Sequence, residues 1–215
     1  MRRHEYVGPS PMALRAMQSL AVRVFPTTGY RHVGDLTWNA CLAQGRADEC
    51  PTAVWTQRDR VLAWGWLELP DCLMLQVDPR HPELGDEVLA WAEQTAGGAL
   101  TVDVAETEPH LVDALERRGY TRTVDRPFMA CLDRPLTGLP DIPRLPVGTH
   151  ADHRRLGLAR AVCTAVLHAF DRAGGHRAVV YSRGDADYPV PIRLYESMGF
   201  TTYTRTHTYI GQSTG

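Results

Sequence analysis

Two stretches of the chain follow the same pattern of helix, glycine and aromatic residue. "LVDALERRGYTRT" begins at Leu111 and "PIRLYESMGFTTY" begins at Pro191. In each stretch an apolar helical pattern ends on glycine, the usual residue after a helix, and an aromatic residue then opens a strand. Each stretch belongs to a longer unit with the same order of elements, namely helix, strand, helix and strand pair. The chain therefore contains an internal repeat, and it folds as two related units.

The two copies are unequal in length. Two helices and three strands precede the repeated elements of the first copy, whereas only "DIPRLPVGTH" precedes the second. We predict a first domain over residues 1–135, a proline-rich linker over 136–145 and a partial second domain over 146–215. In the second copy we expect a short extended segment through "LPVGTH", a helix from Leu156 to Ala173, and a closing strand pair in "FTTYTRTHTYI". The fold class is α/β, with a mixed sheet.

Composition excludes several classes of function. The formal charge of the 215-residue chain is −2, which argues against a general binder of nucleic acids or membrane surfaces. No apolar run approaches the length of a membrane span, and the N-terminus does not resemble a secretory signal. The five cysteines are scattered, as is typical of a reducing compartment. We expect a soluble cytoplasmic protein.

A helix start with unexpected positive charge lies in "HADHRRLGLARAV". Arg154, Arg155 and Gly157 stand at this start, where the helix dipole and free backbone N–H groups already carry partial positive charge. Arginine at this position suits a bound anion, because Gly157 lets the backbone approach a phosphate. The alternative is an ordinary solvated helix start. All 23 basic residues of the chain are arginine, so one arginine alone indicates little.

Two motifs of the second copy resemble those of the GCN5-related N-acetyltransferase (GNAT) superfamily. "RRLGLA", Arg154 to Ala159, matches the family's pyrophosphate loop, and "LYESMGF", Leu194 to Phe200, is similar to its C-terminal motif. The resemblance implies a GNAT fold, with acetyl-CoA or another acyl-CoA as co-substrate and no metal. It also implies a set of coenzyme-binding residues: Val147, Thr149, Arg154, Arg155, Leu156, Gly157, Leu158, Ala159, Arg160 and Tyr188.

The same resemblance implies that Tyr195 is a general acid. Its hydroxyl would protonate the coenzyme A thiolate as the thiolate leaves, and a phenol of pKa ~10 can do this for a thiolate of pKa ~8.5. The alternative is a tyrosine that only packs in the core. Tyr188 stands where the family has an asparagine, although the following Pro189 is kept.

The first copy lacks both motifs. Its loop-equivalent stretch, "VDPRHPELGDEVLAW", keeps Gly85 but has Glu83, Asp86 and Glu87 where a pyrophosphate would bind, and Leu115 replaces the tyrosine. Carboxylates at a helix start suit its dipole and repel an anion. The first copy therefore resembles the structural half of a tandem GNAT protein, with a degenerate site.

The missing strands of the second copy leave two hypotheses open. The family's frequent base would fall near Leu145, which is not acidic. Asp141, Asp152, a carboxylate of the first copy or a water chain could replace it. The chain is then either an N-acetyltransferase acting on an amine of a small molecule or peptide, or a non-catalytic acyl-CoA-binding module. Its short second half must pack on the first copy or pair in a homodimer.

Two other groups of residues indicate less about function. His150 and His153, with Cys163 further along, lack the remaining ligands of any usual metal site. Trp55, Trp64 and Trp66 alternate on adjacent predicted strands, where we expect them to form core and cross-strand pairs.

Overall fold

The computed structural model describes residues 1–25, 30–145, 147–148 and 157–211. The chain divides into two units. The N-terminal unit comprises Met1–Arg126 together with Thr206–Gly215, and the C-terminal unit comprises Pro127–Arg205.

The N-terminal unit contains the elements expected ahead of and within the first copy. In chain order they are β1 (Arg2–Tyr6), α1 (Pro11–Val24), α2 (Val33–Leu42), β2 (Thr52–Gln57), β3 (Arg60–Glu68), β4 (Cys72–Val77), α3 (Leu84–Ala96), β5 (Thr101–Ala105), α4 (Pro109–Arg117) and β6 (Thr121–Thr123). Helix α1 starts where its sequence predicts. The Ser10 hydroxyl accepts a hydrogen bond from the Ala13 N–H, at 3.2 Å, and Pro11 occupies the first turn.

Strands β1 to β4 form an antiparallel meander, and β4 then pairs with β5 in parallel. The parallel pairing is short, because it includes only Cys72↔Thr101 and Leu73↔Val102. Apolar side chains on the two faces of this sheet form two separate cores. One lies against α3 and α4, and the other lies against α1 and α2. The tryptophans predicted to be core, Trp55, Trp64 and Trp66, are at most 1% exposed.

The C-terminal unit is smaller. Its elements are β7 (Met129–Pro135), α5 (Leu158–Arg172), β8 (Arg177–Arg183), α6 (Val190–Glu196) and the first half of β9 (Thr201–Ile210). Strand β7 lies in the middle of its sheet, antiparallel to β8 on one edge and to β9 on the other. Its small core includes Leu132, Leu167, Met198 and Phe200. The segment expected to be extended before α5 is a turn at residues 147–148.

The expected closing strand pair is wrong, because "TTYTRTHTYI" forms one continuous strand, β9. The segment has no glycine, proline or asparagine at which a turn could form. Its two halves also have different partners. Residues 201–205 pair with β7, whereas residues 206–210 pair with β5 and β6 of the N-terminal unit.

The residue boundaries of the two units therefore differ from those of the two predicted copies. Strand β7 was assigned to the first copy by sequence, but it pairs along its whole length with β8, from Met129↔Arg183 to Pro135↔Arg177. Residues 206–210 were assigned to the second copy, but they supply the strand between β5 and β6. The repeat itself stays a prediction, and strand pairing divides the chain at other residues.

Candidate functional site

Gly157, a central residue of the predicted pyrophosphate loop, is the N-cap of helix α5. Gly157 has φ +82°, a left-handed conformation that favours glycine, and a Cβ at this position would meet nothing within 4 Å. Its carbonyl accepts the Ala161 N–H, and no described side chain caps the helix. The first N–H groups of a 15-residue helix are thus free of side-chain partners among the described residues, which favours an anion at this end.

Arg160 joins the first turn of α5 to the end of α6. Its guanidinium donates to the Ser197 carbonyl, at 3.2 Å, and to the Ser197 hydroxyl, at 2.7 Å. The Ser197 hydroxyl in turn donates to the Leu194 carbonyl. Hydrogen bonds from one arginine therefore connect the helix that follows the first motif to the helix of the second motif.

Tyr195 is half-buried on α6. Its ring packs edge-on against Phe200, with centroids 5.7 Å apart, and its carbonyl accepts the N–H groups of Met198 and Phe200. Burial raises the pKa of the Tyr195 hydroxyl, and the thiol of Cys163 on α5 raises it further. The hydroxyl is therefore protonated at neutral pH, as a proton donor must be, and it lies near the second turn of α5.

The remaining predicted site residues are distributed as follows. Val147 is exposed in a turn, Tyr188 is exposed in the loop before α6, and Leu158 and Ala159 form the first turn of α5. Leu145 has no regular structure and Asp141 is exposed. Outside the described residues lie Thr149, His150, Asp152, His153, Arg154, Arg155 and Leu156.

Sequence reasoning missed two polar contacts beside this site. One is the Arg160–Ser197 bond pair. The other is a two-pronged ion pair between Arg183 at the end of β8 and Asp185, at 2.8 and 2.9 Å, which lowers the pKa of the Asp185 carboxyl. The spacing of Arg183 and Asp185 in "RGD" could have indicated the second pair, whereas nothing local to Arg160 indicates the first.

The corresponding helix start in the N-terminal unit is built differently. Gly85 lies inside α3, and a Cβ there would come within 3.0 Å of the Ala114 Cβ on α4, so this glycine permits close helix packing. Asp86 accepts a hydrogen bond from Arg117, at 2.8 Å. Leu115, at the position of Tyr195, is fully buried. The two glycines therefore differ in position and role, since Gly85 lies within α3 and permits packing, whereas Gly157 is the N-cap of α5 with open space around it.

Glu108 is the predicted counterpart of Tyr188, since each directly precedes a proline at the start of a helix, Pro109 as the first residue of α4 and Pro189 as the N-cap of α6. Its side chain is only 2% exposed, and its carboxyl accepts the Ala105 N–H at 3.0 Å. Burial raises the pKa of this carboxyl to about 8, although the Ala105 bond and Arg31 oppose the shift. Glu108 is therefore a buried, mostly protonated acid at neutral pH.

The raised pKa predicts that Glu108→Gln removes a pH dependence of stability. The carboxyl titrates near 4.5 when unfolded and near 8 when folded. The folded state thus binds the proton more tightly, and the free energy of unfolding falls as pH rises between these values, by roughly 5 kcal/mol in all. We expect the variant to equal the parent near pH 4 and to exceed it at pH 9.

Urea unfolding followed by tryptophan fluorescence measures this difference, because all five tryptophans lie in the N-terminal unit. Glu87→Gln, at an exposed position on α3, is the control. Parallel pH profiles for the parent and Glu108→Gln would contradict the assignment.

The order of elements and the strand pairing define the GNAT fold, so the resemblance drawn from the sequence is confirmed at the level of fold. A tandem GNAT protein from the clavulanic acid biosynthesis pathway superimposes with a TM-score of 0.65 at 14% identity, over 100% of this chain and 99% of that one. A GNAT-family acetyltransferase from Colwellia psychrerythraea gives 0.59 at 9% identity, over 99% and 100%. A GCN5-related N-acetyltransferase from Sphaerobacter thermophilus gives 0.54 at 13% identity, over 98% and 95%.

No protein-family model and no curated protein matches the chain by sequence. In the described ranges, no group of three or more His, Cys, Asp or Glu side chains is arranged to hold a metal ion. No helix in the described part of the chain combines the length and apolarity that crossing a membrane requires.

Proposed function

We propose that the C-terminal unit binds an acyl-coenzyme A and transfers its acyl group, most simply acetyl, to an amine of a small molecule or peptide. The observation that carries this proposal is the proximity of the two motifs. Arg160, in the first turn after Gly157, bonds to Ser197 at the end of the helix that holds Tyr195. An anion-favouring helix start and a protonated phenol thus belong to one site. The fold of known N-acetyltransferases supports the same function.

In this proposal the coenzyme's pyrophosphate binds the open N–H groups that follow Gly157, with Arg154 and Arg155 adding charge-assisted hydrogen bonds. The amine attacks the thioester carbonyl carbon directly, a C–N bond forms, and the C–S bond breaks. Tyr195 gives its proton to the departing thiolate. The amine loses one proton to a base. Asp141, Asp152, a carboxylate of the first copy and a water chain remain the candidates for that base.

Tyr195→Phe is expected to lower kcat by about 100-fold while coenzyme A binding is retained, because the ring still packs on Phe200 but cannot donate a proton. Release of free thiol from acetyl-CoA in the presence of an amine panel measures turnover. Tyr6→Phe in the N-terminal unit is the matched control. Unchanged turnover of Tyr195→Phe would exclude the role of general acid.

A non-catalytic acyl-CoA-binding module is the second candidate. One observation favours it: Leu145, where the family's base would fall, is neither acidic nor part of a described strand. This candidate predicts that coenzyme A raises the thermal unfolding midpoint, as any ligand of the native state does, without turnover on any amine. Absence of both stabilisation and turnover would exclude both candidates.

A further inference from the structure

A buried carboxylate at the end of β4 is surrounded by three guanidinium groups of the N-terminal unit. Asp78 is 1% exposed. Arg80 donates to both of its oxygens, at 3.0 and 2.8 Å, while Arg23 approaches Asp78 Oδ2 at 3.4 Å and Arg60 at 3.6 Å. The three arginines come from different elements, namely the last turn of α1, the start of β3 and the loop after β4. We refer to Asp78, Arg23, Arg60 and Arg80 as the arginine cluster.

Charge in the arginine cluster is unbalanced. Three guanidinium groups face one carboxylate, and none of the three forms an ion pair with any other carboxylate of the described residues. The cluster therefore carries a surplus of two positive charges in a chain whose net charge is −2. The Arg80–Asp78 pair already satisfies both carboxylate oxygens, and Arg23 also donates to the carbonyls of Ser19 and Val61, so Arg60 has the weakest structural role of the three arginines.

The arginines of the cluster differ in the hydrogen bonds and ion pairs that they form. The Nε of Arg23 is buried without a hydrogen-bond partner among the described residues, and its pKa is lowered by burial and by repulsion from Arg60. Within the described part of the chain, the one ion pair of Arg60 is the long contact to Asp78, and its side chain is 46% exposed. The Asp78 carboxyl thus lies at the buried end of the cluster, while the side chains of Arg60 and Arg80 are 46% and 62% exposed and face solvent. A local surplus of positive charge of this kind attracts an anion.

We propose that the arginine cluster is a binding site for the phosphate group of a small phosphomonoester. A phosphate dianion matches the surplus of two charges, and guanidinium groups bind phosphate oxygens in a planar, two-pronged geometry. Arg60 and Arg80, which solvent can reach, would hold the phosphate, and Asp78 fixes the direction of Arg80. This site belongs wholly to the N-terminal unit, and it is separate from the helix start at Gly157.

Inorganic phosphate is the probe for this site, at constant ionic strength made up with sodium chloride. Urea unfolding followed by tryptophan fluorescence reports on the N-terminal unit, and a Gly157→Glu background suppresses phosphate binding at α5. We expect phosphate to raise the urea midpoint of unfolding. Arg60→Gln should raise the half-saturating phosphate concentration about fivefold or more. Arg60→Lys should retain most of the affinity for phosphate. Arg15→Gln, an exposed arginine of α1, is the control for general salt effects.

An equal phosphate response in Arg60→Gln and Arg15→Gln would overturn the proposal, because the effect would then be a general one of the salt. Absence of any response above that of chloride would also overturn it. If Arg60→Gln is unfolded in the absence of phosphate, the half-saturating phosphate concentrations of Arg60→Lys and Arg15→Gln are compared instead. The proposal then requires a measurably higher concentration for Arg60→Lys, although the increase is smaller than that expected for Arg60→Gln. The coenzyme A experiments use other residues, so their failure and the failure of this site are distinguishable.

Discussion

A chain that ends at Arg205 is expected to lose the folded state of its N-terminal unit. The deletion removes the strand segment that pairs with β5 from Thr101↔Ile210 to Ala105↔Thr206 and with β6 on its other side. Tyr209, 4% exposed in the core against α3 and α4, is lost as well. The backbone groups of two strands and a large apolar surface would then meet water. The summed loss is comparable to the 5–15 kcal/mol by which folded domains are usually stable.

Near-ultraviolet circular dichroism and tryptophan fluorescence measure this effect, since every tryptophan belongs to the N-terminal unit. A graded variant accompanies the deletion. Tyr209→Ala is expected to cost about 3 kcal/mol, as for other large core side chains. Tyr188→Ala, the same substitution at an exposed position, is expected to cost nearly nothing. Native tryptophan spectra in the shortened chain would show that residues 206–210 are dispensable.

Gly157→Glu is expected to weaken coenzyme A binding by about 100-fold or more. The φ of +82° costs a side-chain-bearing residue about 1–2 kcal/mol, and the new carboxylate repels the pyrophosphate at the helix start. A tenfold change corresponds to about 1.4 kcal/mol, so loss of one or two charge-assisted hydrogen bonds accounts for the size of the effect. Isothermal titration with coenzyme A measures it directly.

Gly174→Glu provides the matched control for this prediction. Gly174 has φ +84°, open space around the missing Cβ, and a place at the opposite end of the same helix. It therefore reproduces both the backbone strain and the added charge without the helix start. Equal losses of affinity in the two variants would indicate that strain, and not proximity to the ligand, explains the result.

The elements of the fold were largely predictable, because local patterns determine them. Ser10 and Pro11, of the types that usually start a helix, begin α1, and Gly97, in the left-handed conformation, follows the end of α3. The pairing of β9 was not predictable. Strand periodicity tells which side chains share a face, but it does not tell which strand lies alongside, since that depends on contacts between residues distant in sequence.

The features of the candidate site can likewise be divided into those that the sequence predicts and those that only the structure gives. The sequence predicts Gly85 as the counterpart of Gly157, and flanking charge already distinguished the two, but Gly85 lies inside α3 whereas Gly157 is the N-cap of α5. Only the structure gives the reason for Gly85, which is the close approach of Ala114. The bond from Arg160 to Ser197 was likewise not predictable, because a surface arginine has many possible partners and the local sequence favours none.

The sequence by itself determined the GNAT fold, which the structure confirms, and it predicts a repeated unit whose second copy alone keeps an anion-favouring helix start and a tyrosine. These properties follow from residue type and spacing along a single helix or strand. Tertiary structure alone decided that residues 206–210 complete the N-terminal sheet, that β7 belongs to the C-terminal one, and that three arginines meet at Asp78. The physical reason is that such contacts form only when elements far apart in the chain are brought together by burial of their shared apolar faces.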